Sequence, residues 1–370
     1  MSKVEPQSPV RLLIVDDSAL MRKLLADLLR SAPEIEVVGA ARNGAEALEL
    51  AAALSPDVIT LDVEMPGMSG LEVLPLLLKA RPVPVVMVSS LTQEGAEVTL
   101  EALDLGAVDF LPKPDRLQVA QFKSAGPQLV AKVLSAARSR VRPPSAPASP
   151  SVPAPPSSRS IPASTPSRPA ATSSQSRDTR SCQCILIGIS TGGPQALGQV
   201  LPLIAPPAPP ILIVQHMPAN FTQVFAQRLD RQCALAVKEA EQGDIASPNS
   251  ILVAPGGRHM TLTGTPKCPR VSLSDGPLVS GHKPSVDMLF QSGARLYGPN
   301  VAAIIMTGMG RDGVDGCHKV LELGGITFGQ DEATSVVYGM NKVAHREGAV
   351  RNQFALQDLP DLIRKLSQGT

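Results

Sequence analysis

At 370 residues the chain is too long for one ordinary core, and that length implies two domains. Its 34 lysines and arginines almost balance 33 aspartates and glutamates, with no basic block, so the electrostatic footprint of a nucleic-acid binder is missing. Aromatic residues make up 2% of the chain and tryptophan is absent, which leaves Leu, Val, Ile, Ala and Met to build the cores.

Residues 1–9 are expected to form a flexible tail. No apolar stretch followed by a small-residue cleavage site stands there, and no run is long enough to span a bilayer. A cytoplasmic location without direct membrane insertion is therefore expected. Over 10–138, short apolar runs alternate with amphipathic stretches. Strands are predicted at 11–15, 35–40, 57–61, 83–88 and 108–111, and helices at 19–30, 45–54, 70–80, 93–105 and 118–137. Five such repeats predict an α/β domain, a doubly wound five-stranded parallel sheet of flavodoxin-like type. Pro75 falls inside the third helical stretch and is expected to kink or shorten it.

In a parallel sheet the strand ends on one side converge. Asp16 and Asp17 end the first strand and Asp62 the third, so three carboxylates should meet. Such crowding calls for a hard cation, and Mg²⁺ is the natural choice. Ser89 ends the fourth strand and Lys113 follows the fifth. A hydroxyl and an ammonium beside a carboxylate–metal cluster suit a phosphoryl group carried on one carboxylate.

Over 139–181 the sequence turns to Pro, Ser, Ala and Arg, too poor in large apolar residues to offset the cost of ordering, and a tether is expected. A second α/β pattern covers 182–370, with apolar runs at 185–189, 211–215, 250–253 and 301–307. Cysteines 182, 184, 233, 268 and 317 are odd in number and scattered, which argues against a disulfide framework. The first run ends in Gly188-Ile189-Ser190-Thr191-Gly192, a G-x-S-x-G match that suits a sharp strand-to-helix turn with the hydroxyl exposed.

A serine there needs a base, a group to orient the base, and donors for an oxyanion. His216 directly follows a strand and is the leading base. His259 is its strongest competitor, ahead of His282, His318 and His345. Asp312, in a glycine-rich turn, is placed to orient the imidazole, although an aspartate after a strand also suits a helix cap. Backbone N–H groups of Met309 or Gly310, or those around Thr191 and Gly192, are available for the oxyanion. The Gly-rich turn lacks the G-K-[ST] of a phosphate loop. No cofactor is expected for this site.

Two resemblances follow from these residues. V-D-D-S (15–18), L-D-V-E-M-P (61–66), V-S-S (88–90) and L-P-K-P (111–114) resemble the receiver domain of two-component response regulators. That resemblance implies phosphorylation of Asp62 by a histidine kinase. It also implies Mg²⁺ held by Asp17 with help from Asp16 and the Glu64 backbone, and Phe110 as the conformationally coupled aromatic. With I-G-I-S-T-G-G-P (187–194), V-Q-H-M-P (214–218), A-P-G-G-R-H-M (254–260), P-S-V-D-M-L-F (284–290) and T-G-M-G-R-D-G (307–313), the whole chain resembles the chemotaxis response-regulator protein-glutamate methylesterases, the CheB family. The resemblance implies Ser190 as nucleophile, His216 as general base, Asp312 as its orienting residue and the Met309 backbone at the oxyanion. The implied substrate is the methylated cytoplasmic helices of chemoreceptors, with receptor glutamines as deamidation targets. Where the family often has Ala before the serine, Ile189 stands here, and a packing difference is expected.

Overall fold

The computed structural model describes residues 8–113, 126–139 and 182–369. Most of the expected tail and tether, and residues 118–125 of the fifth predicted helix, lie outside the described residues.

The first domain runs β1 (Val10–Val15), α1 (Ala19–Arg30), β2 (Ile35–Ala41), α2 (Gly44–Leu54), β3 (Val58–Asp62), α3 (Gly70–Ala80), β4 (Val85–Ser89), α4 (Gln93–Asp104), β5 (Asp109–Pro112) and α5 (Gly126–Ala137). The five strands are parallel in the order β2-β1-β3-β4-β5. Strands buried on both faces read as continuous apolar runs, as in β1 and β4. Leu12 and Ile14 pack toward α1 and α5, while Leu13 and Val15 pack on the other face of the sheet. Helix α3 is not shortened at Pro75 but keeps its full predicted length. Its start is fixed by a capping box between Ser69 and Glu72, and Val73, Leu74, Leu77 and Leu78 bury its inner face. Together these offset the hydrogen bond that the proline removes.

The second domain runs β6 (Cys184–Ile189), α6 (Gly193–Val200), β7 (Ile211–Gln215), α7 (Phe221–Asp230), β8 (Ala236–Glu239), β9 (Ser250–Val253), β10 (His259–Thr265), β11 (Cys268–Ser274), α8 (Val286–Tyr297), β12 (Val301–Ile305), α9 (Val314–Glu322), β13 (Ile326–Gln330), α10 (Met340–Arg346), β14 (Asn352–Phe354) and α11 (Leu359–Gln368). Seven parallel strands follow the order β14-β13-β12-β6-β7-β9-β8, with β10 and β11 as a separate antiparallel hairpin. Both faces are covered. Ile185, Ile187 and Ile189 pack with α6 and α7, and Leu186 packs with α8 and α9. Ile189 is fully buried in that first layer.

Chain order reverses beside β1 in the first sheet and beside β6 in the second. Crevices at the carboxyl ends of strands open at such switch points. The first holds Asp16, Asp17 and Asp62, and the second holds Ser190, His216 and the loop after β12. The two sheets share one continuous core, closed at the junction by Phe110 stacked on Phe221 with ring centroids 4.5 Å apart. Among the described residues no helix is long and apolar enough to cross a membrane.

Phe290, on the inner face of α8, is fully buried, and Leu203 is 65% exposed. Phe290→Ala is expected to lower stability by about 3–5 kcal/mol, and Leu203→Ala by less than about 0.5 kcal/mol. Chemical denaturation followed by far-UV circular dichroism measures both.

Candidate active site

The turn after β6 is shaped by glycine. Gly192 caps α6 at φ 78°, a left-handed conformation that a side chain would disfavour. Across the cleft, a Cβ on Gly308 would lie 2.6 Å from the Ser190 Cβ, so only glycine lets the loop after β12 come this close to the serine. Ser190 N donates to Thr307 O at 2.9 Å, which ties the ends of β6 and β12 together. Gln215, the last residue of β7, donates from Nε2 to Ser190 O at 3.0 Å. Three neighbouring strand ends thus hold one half-buried serine.

His216 follows β7 and faces the same cleft as Ser190, Thr191 and Met309, a cavity of about 580 Å³. Its Nε2 pairs with Asp312 Oδ2 at 2.9 Å. Its Nδ1 is buried and has no hydrogen-bond partner among the described residues. With Nε2–H donating to the carboxylate, Nδ1 carries the lone pair. Relative to the usual Ser-His-Asp arrangement, the two ring nitrogens have exchanged places.

Asp312 is fully buried. Beyond His216 it accepts from Ser285 Oγ at 2.8 Å, Val286 N at 2.8 Å and Asp287 N at 3.1 Å. Asp312 both pairs with the imidazole and caps a helix. The helix it caps is α8, however, rather than its own α9. Burial alone would raise its pKa, but the His216 hydrogen bond and charge and the two backbone N–H groups outweigh burial and hold it down at about 2. Asp287 returns the favour. Its Oδ1 accepts from Gly313 N at 2.9 Å and Gly316 N at 2.8 Å, at the start of α9. Burial, with the nearby Asp312 charge, raises the Asp287 carboxyl.

His259, the competing base, is buried and donates from Nε2 to Pro277 O at 2.8 Å, away from the cleft. The histidine that does share the cleft with His216 is His282. Sequence reasoning gave it no special weight, and it likewise passed over Asp287 and Ser285 within P-S-V-D. The backbone N–H groups of Thr191 and Met309 make no hydrogen bond within the described residues, so both remain available to an oxyanion. All five cysteines are free; Cys182 Sγ donates to Cys184 O at 2.9 Å.

The same cleft is walled by the first domain through Phe110, Pro112 and Lys132. Asp109 is buried and takes three donors: Lys132 Nζ at 2.7 Å, Phe110 N at 2.7 Å and Thr191 Oγ1 at 2.6 Å. The last bond joins the first domain to the residue beside Ser190. Gln195 reaches Leu103 O and Ala107 O, and Arg228 pairs with Asp104, across the same junction.

In the other crevice, carboxylate oxygens of Asp16, Asp17 and Asp62 all lie within 4.8 Å of one another. Lys113 Nζ is 2.6 Å from Asp62 Oδ2 and 3.3 Å from Asp16 Oδ2. Burial pushes the Asp62 carboxyl up to about 6 despite that ammonium, and raises Asp16 as well. Three carboxylates against one ammonium leave an excess of negative charge, so the cluster could hold a divalent cation. Glu64 N donates to Asp62 Oδ1 at 3.1 Å. The Ser89 hydroxyl donates to Gly95 O at 3.1 Å, so it is engaged with α4 rather than with Asp62.

The family CheB methylesterase matches residues 185–363, and the response regulator receiver domain matches 12–121. A protein of Koribacter versatilis named protein-glutamate methylesterase/protein-glutamine glutaminase 2 is 44% identical over 358 residues, covering 96% of both chains. One of Geobacter metallireducens, protein-glutamate methylesterase/protein-glutamine glutaminase 1, is 44% identical over 353 residues, covering 95% of this chain and 94% of its own. The solved CheB methylesterase catalytic domain of Thermotoga maritima is 35% identical, covering 50% of this chain and 99% of that one at a TM-score of 0.49. Matched in both halves and along nearly its whole length, the chain belongs to the CheB methylesterase family, with a response-regulator receiver domain ahead of the esterase domain.

Proposed function

We propose that this chain is a phosphorylation-controlled serine esterase. It hydrolyses glutamyl γ-methyl esters on the cytoplasmic helices of chemoreceptors to glutamate and methanol, and deamidates receptor glutamines. The observation that carries this reading is the imidazole of His216. One nitrogen is anchored on the buried Asp312, and the other is buried without a partner, on a side chain that lines the same cleft as Ser190. The names of the two relatives support the substrate. The receiver is assigned to 10–138, the connecting segment to 139–181 and the esterase to 182–370, all in the cytoplasm.

Ser190 Oγ adds to the γ-carbonyl carbon while His216 Nδ1 takes the hydroxyl proton. The carbonyl oxygen becomes an oxyanion, received by the Met309 N–H with the Thr191 N–H beside it. Asp312, held ionised, stabilises the imidazolium. As the tetrahedral centre collapses, the C–O bond to the methoxy group breaks and the Nδ1 proton leaves with methanol. Water then attacks the acyl-enzyme, giving its proton to Nδ1, and Ser190 recovers that proton as glutamate departs. Deamidation passes through the same centre with ammonia leaving. The esterase chemistry uses no cofactor.

Control follows from the shared cleft. Asp62 accepts a phosphoryl group from a histidine kinase. Asp16, Asp17, Asp62 and the Glu64 backbone would hold Mg²⁺, which when bound would supply the positive charge that the transferring phosphoryl group calls for. At rest, Asp109 grips Thr191 and Phe110 lies on Phe221, so receptor helices are kept from Ser190. Phosphorylation shifts this equilibrium toward the open form.

Methanol release from a methylated receptor cytoplasmic fragment tests the chemistry. Ser190→Ala is expected to lose about 10⁴-fold or more; undiminished release by that variant would end the serine mechanism. Asp109→Ala and Phe110→Ala are each expected to raise unphosphorylated activity about tenfold, within the usual range of coupling between sites, and to shrink the response to acetyl phosphate. Variants as quiet as wild type would remove the latch from the account. Chelation of Mg²⁺, or Asp62→Asn, should abolish stimulation by acetyl phosphate while leaving the unstimulated rate in place.

A further inference from the structure

A second histidine lies flat on the first. The rings of His216 and His282 have centroids 3.9 Å apart and planes inclined by 3°. The pair with Asp312 fixes one edge of the His216 ring, but a ring held by a single edge atom can still pivot about that bond. A neighbour covering one face removes the pivot.

The segment that carries His282 is itself pinned. Val279 and His282 exchange backbone hydrogen bonds of 3.1 Å and 2.9 Å, with Ser280 and Gly281 between them at φ 51° and 81°. Ser280 Oγ donates to Asp287 Oδ2 at 2.9 Å. Asp287 N in turn donates to Asp312 Oδ1, and Asp312 Oδ2 takes the imidazole. The circuit closes on itself: His216, Asp312, Asp287, Ser280, His282 and back to His216. Edge and face of one imidazole are thereby referenced to the start of α8.

We propose that His282 is a positioning residue for the esterase, its stacked ring holding the plane of His216 so that Nε2 stays on Asp312 and Nδ1 stays presented to the cleft. The proposal rests on the roles given above to Ser190 and His216. His282 does not compete as a base. Burial and the neighbouring His216 hold its pKa down to about 4, against the attraction of Asp312 and with Lys132 of the receiver adding to the effect. Lys283, next in the chain, donates from its ammonium to Gly276 O at 3.1 Å. The ring on His216 is therefore uncharged near neutral pH.

Full-length protein with saturating acetyl phosphate and Mg²⁺ provides the test, with kcat and KM for methanol release from the receptor fragment. His282→Ala is expected to lower kcat about 10- to 100-fold, the cost of a misplaced catalytic group. KM should stay within about threefold, because ground-state binding is not involved. His282→Phe, which keeps a flat ring and loses both nitrogens, should recover most of kcat. Ser280→Ala should lower kcat less, by about threefold. An unchanged kcat in His282→Ala, or an effect confined to KM, would reduce His282 to a wall of the cleft. A Phe variant as slow as the Ala variant would assign the work to a ring nitrogen and overturn the positioning role. Should His282→Ala fail to fold by circular dichroism, the Phe and Ser280 variants decide the matter alone. Ser190→Ala, run alongside, separates the two levels. Loss there with a fully active His282→Ala sinks only the positioning role, while retained release in Ser190→Ala sinks the reading beneath it.

Discussion

A carboxylate with no access to water needs partners, and the way Asp312 finds them organises the second domain. It takes the first two backbone N–H groups of α8, the Ser285 hydroxyl and the His216 imidazole. A helix N-terminus suits this negative charge because its unpaired N–H groups and dipole both favour an anion. The consequence is geometric. Helix α8 must start where β12 ends, so that Asp312 and His216 meet in line. Asp287 repeats the device in the other direction, from α8 to the first N–H groups of α9. The two helices hold each other's ends, and the proposed base stands on that joint.

The junction between domains uses the same economy of buried charge. Asp109 sits at the start of β5, buried, with its acceptors filled by Lys132, its neighbour Phe110 and Thr191. A single bond thus spans from the receiver sheet to the residue next to the proposed nucleophile. The adjacent Phe110 is the aromatic expected to respond to the acid site, and its ring stacks on Phe221 at the first turn of α7. Acid site and ester site are therefore mechanically contiguous. Each occupies the switch point of its own sheet, and strand β5 lies between them.

The strands that sit at the centre of either sheet were legible from local pattern. β1, β3, β4, β6, β7 and β12 are predominantly apolar because both of their faces are covered, and short runs rich in branched residues between turn signals read as buried strands. The strands that escaped notice are β8, β10, β11, β13 and β14. β8 and β14 are sheet edges whose outer residues stay exposed, as at Ala236, Lys238, Asn352 and Gln353. β13 is interrupted by Gly329. Edge strands owe their existence to a partner strand, so their own residues carry little signal.

The sequence by itself pointed to the two sheets, the three converging aspartates, the serine on its glycine turn, His216 as the leading base and Asp312 as the candidate to orient it. All but Asp312, which stands in the loop seven residues beyond β12, follow from local order, since a residue at the carboxyl end of a parallel strand faces the crevice. Only the tertiary structure decided which imidazole nitrogen meets Asp312 and that His282 rather than His259 shares the cleft. It alone revealed that Asp287 and Ser280 complete the circuit and that Asp109 reaches Thr191. Those contacts join residues from 7 to 96 positions apart — Ser280 with Asp287, His216 with Asp312 — through loops whose paths are set by packing, and no local periodicity encodes which loop end will land on which ring.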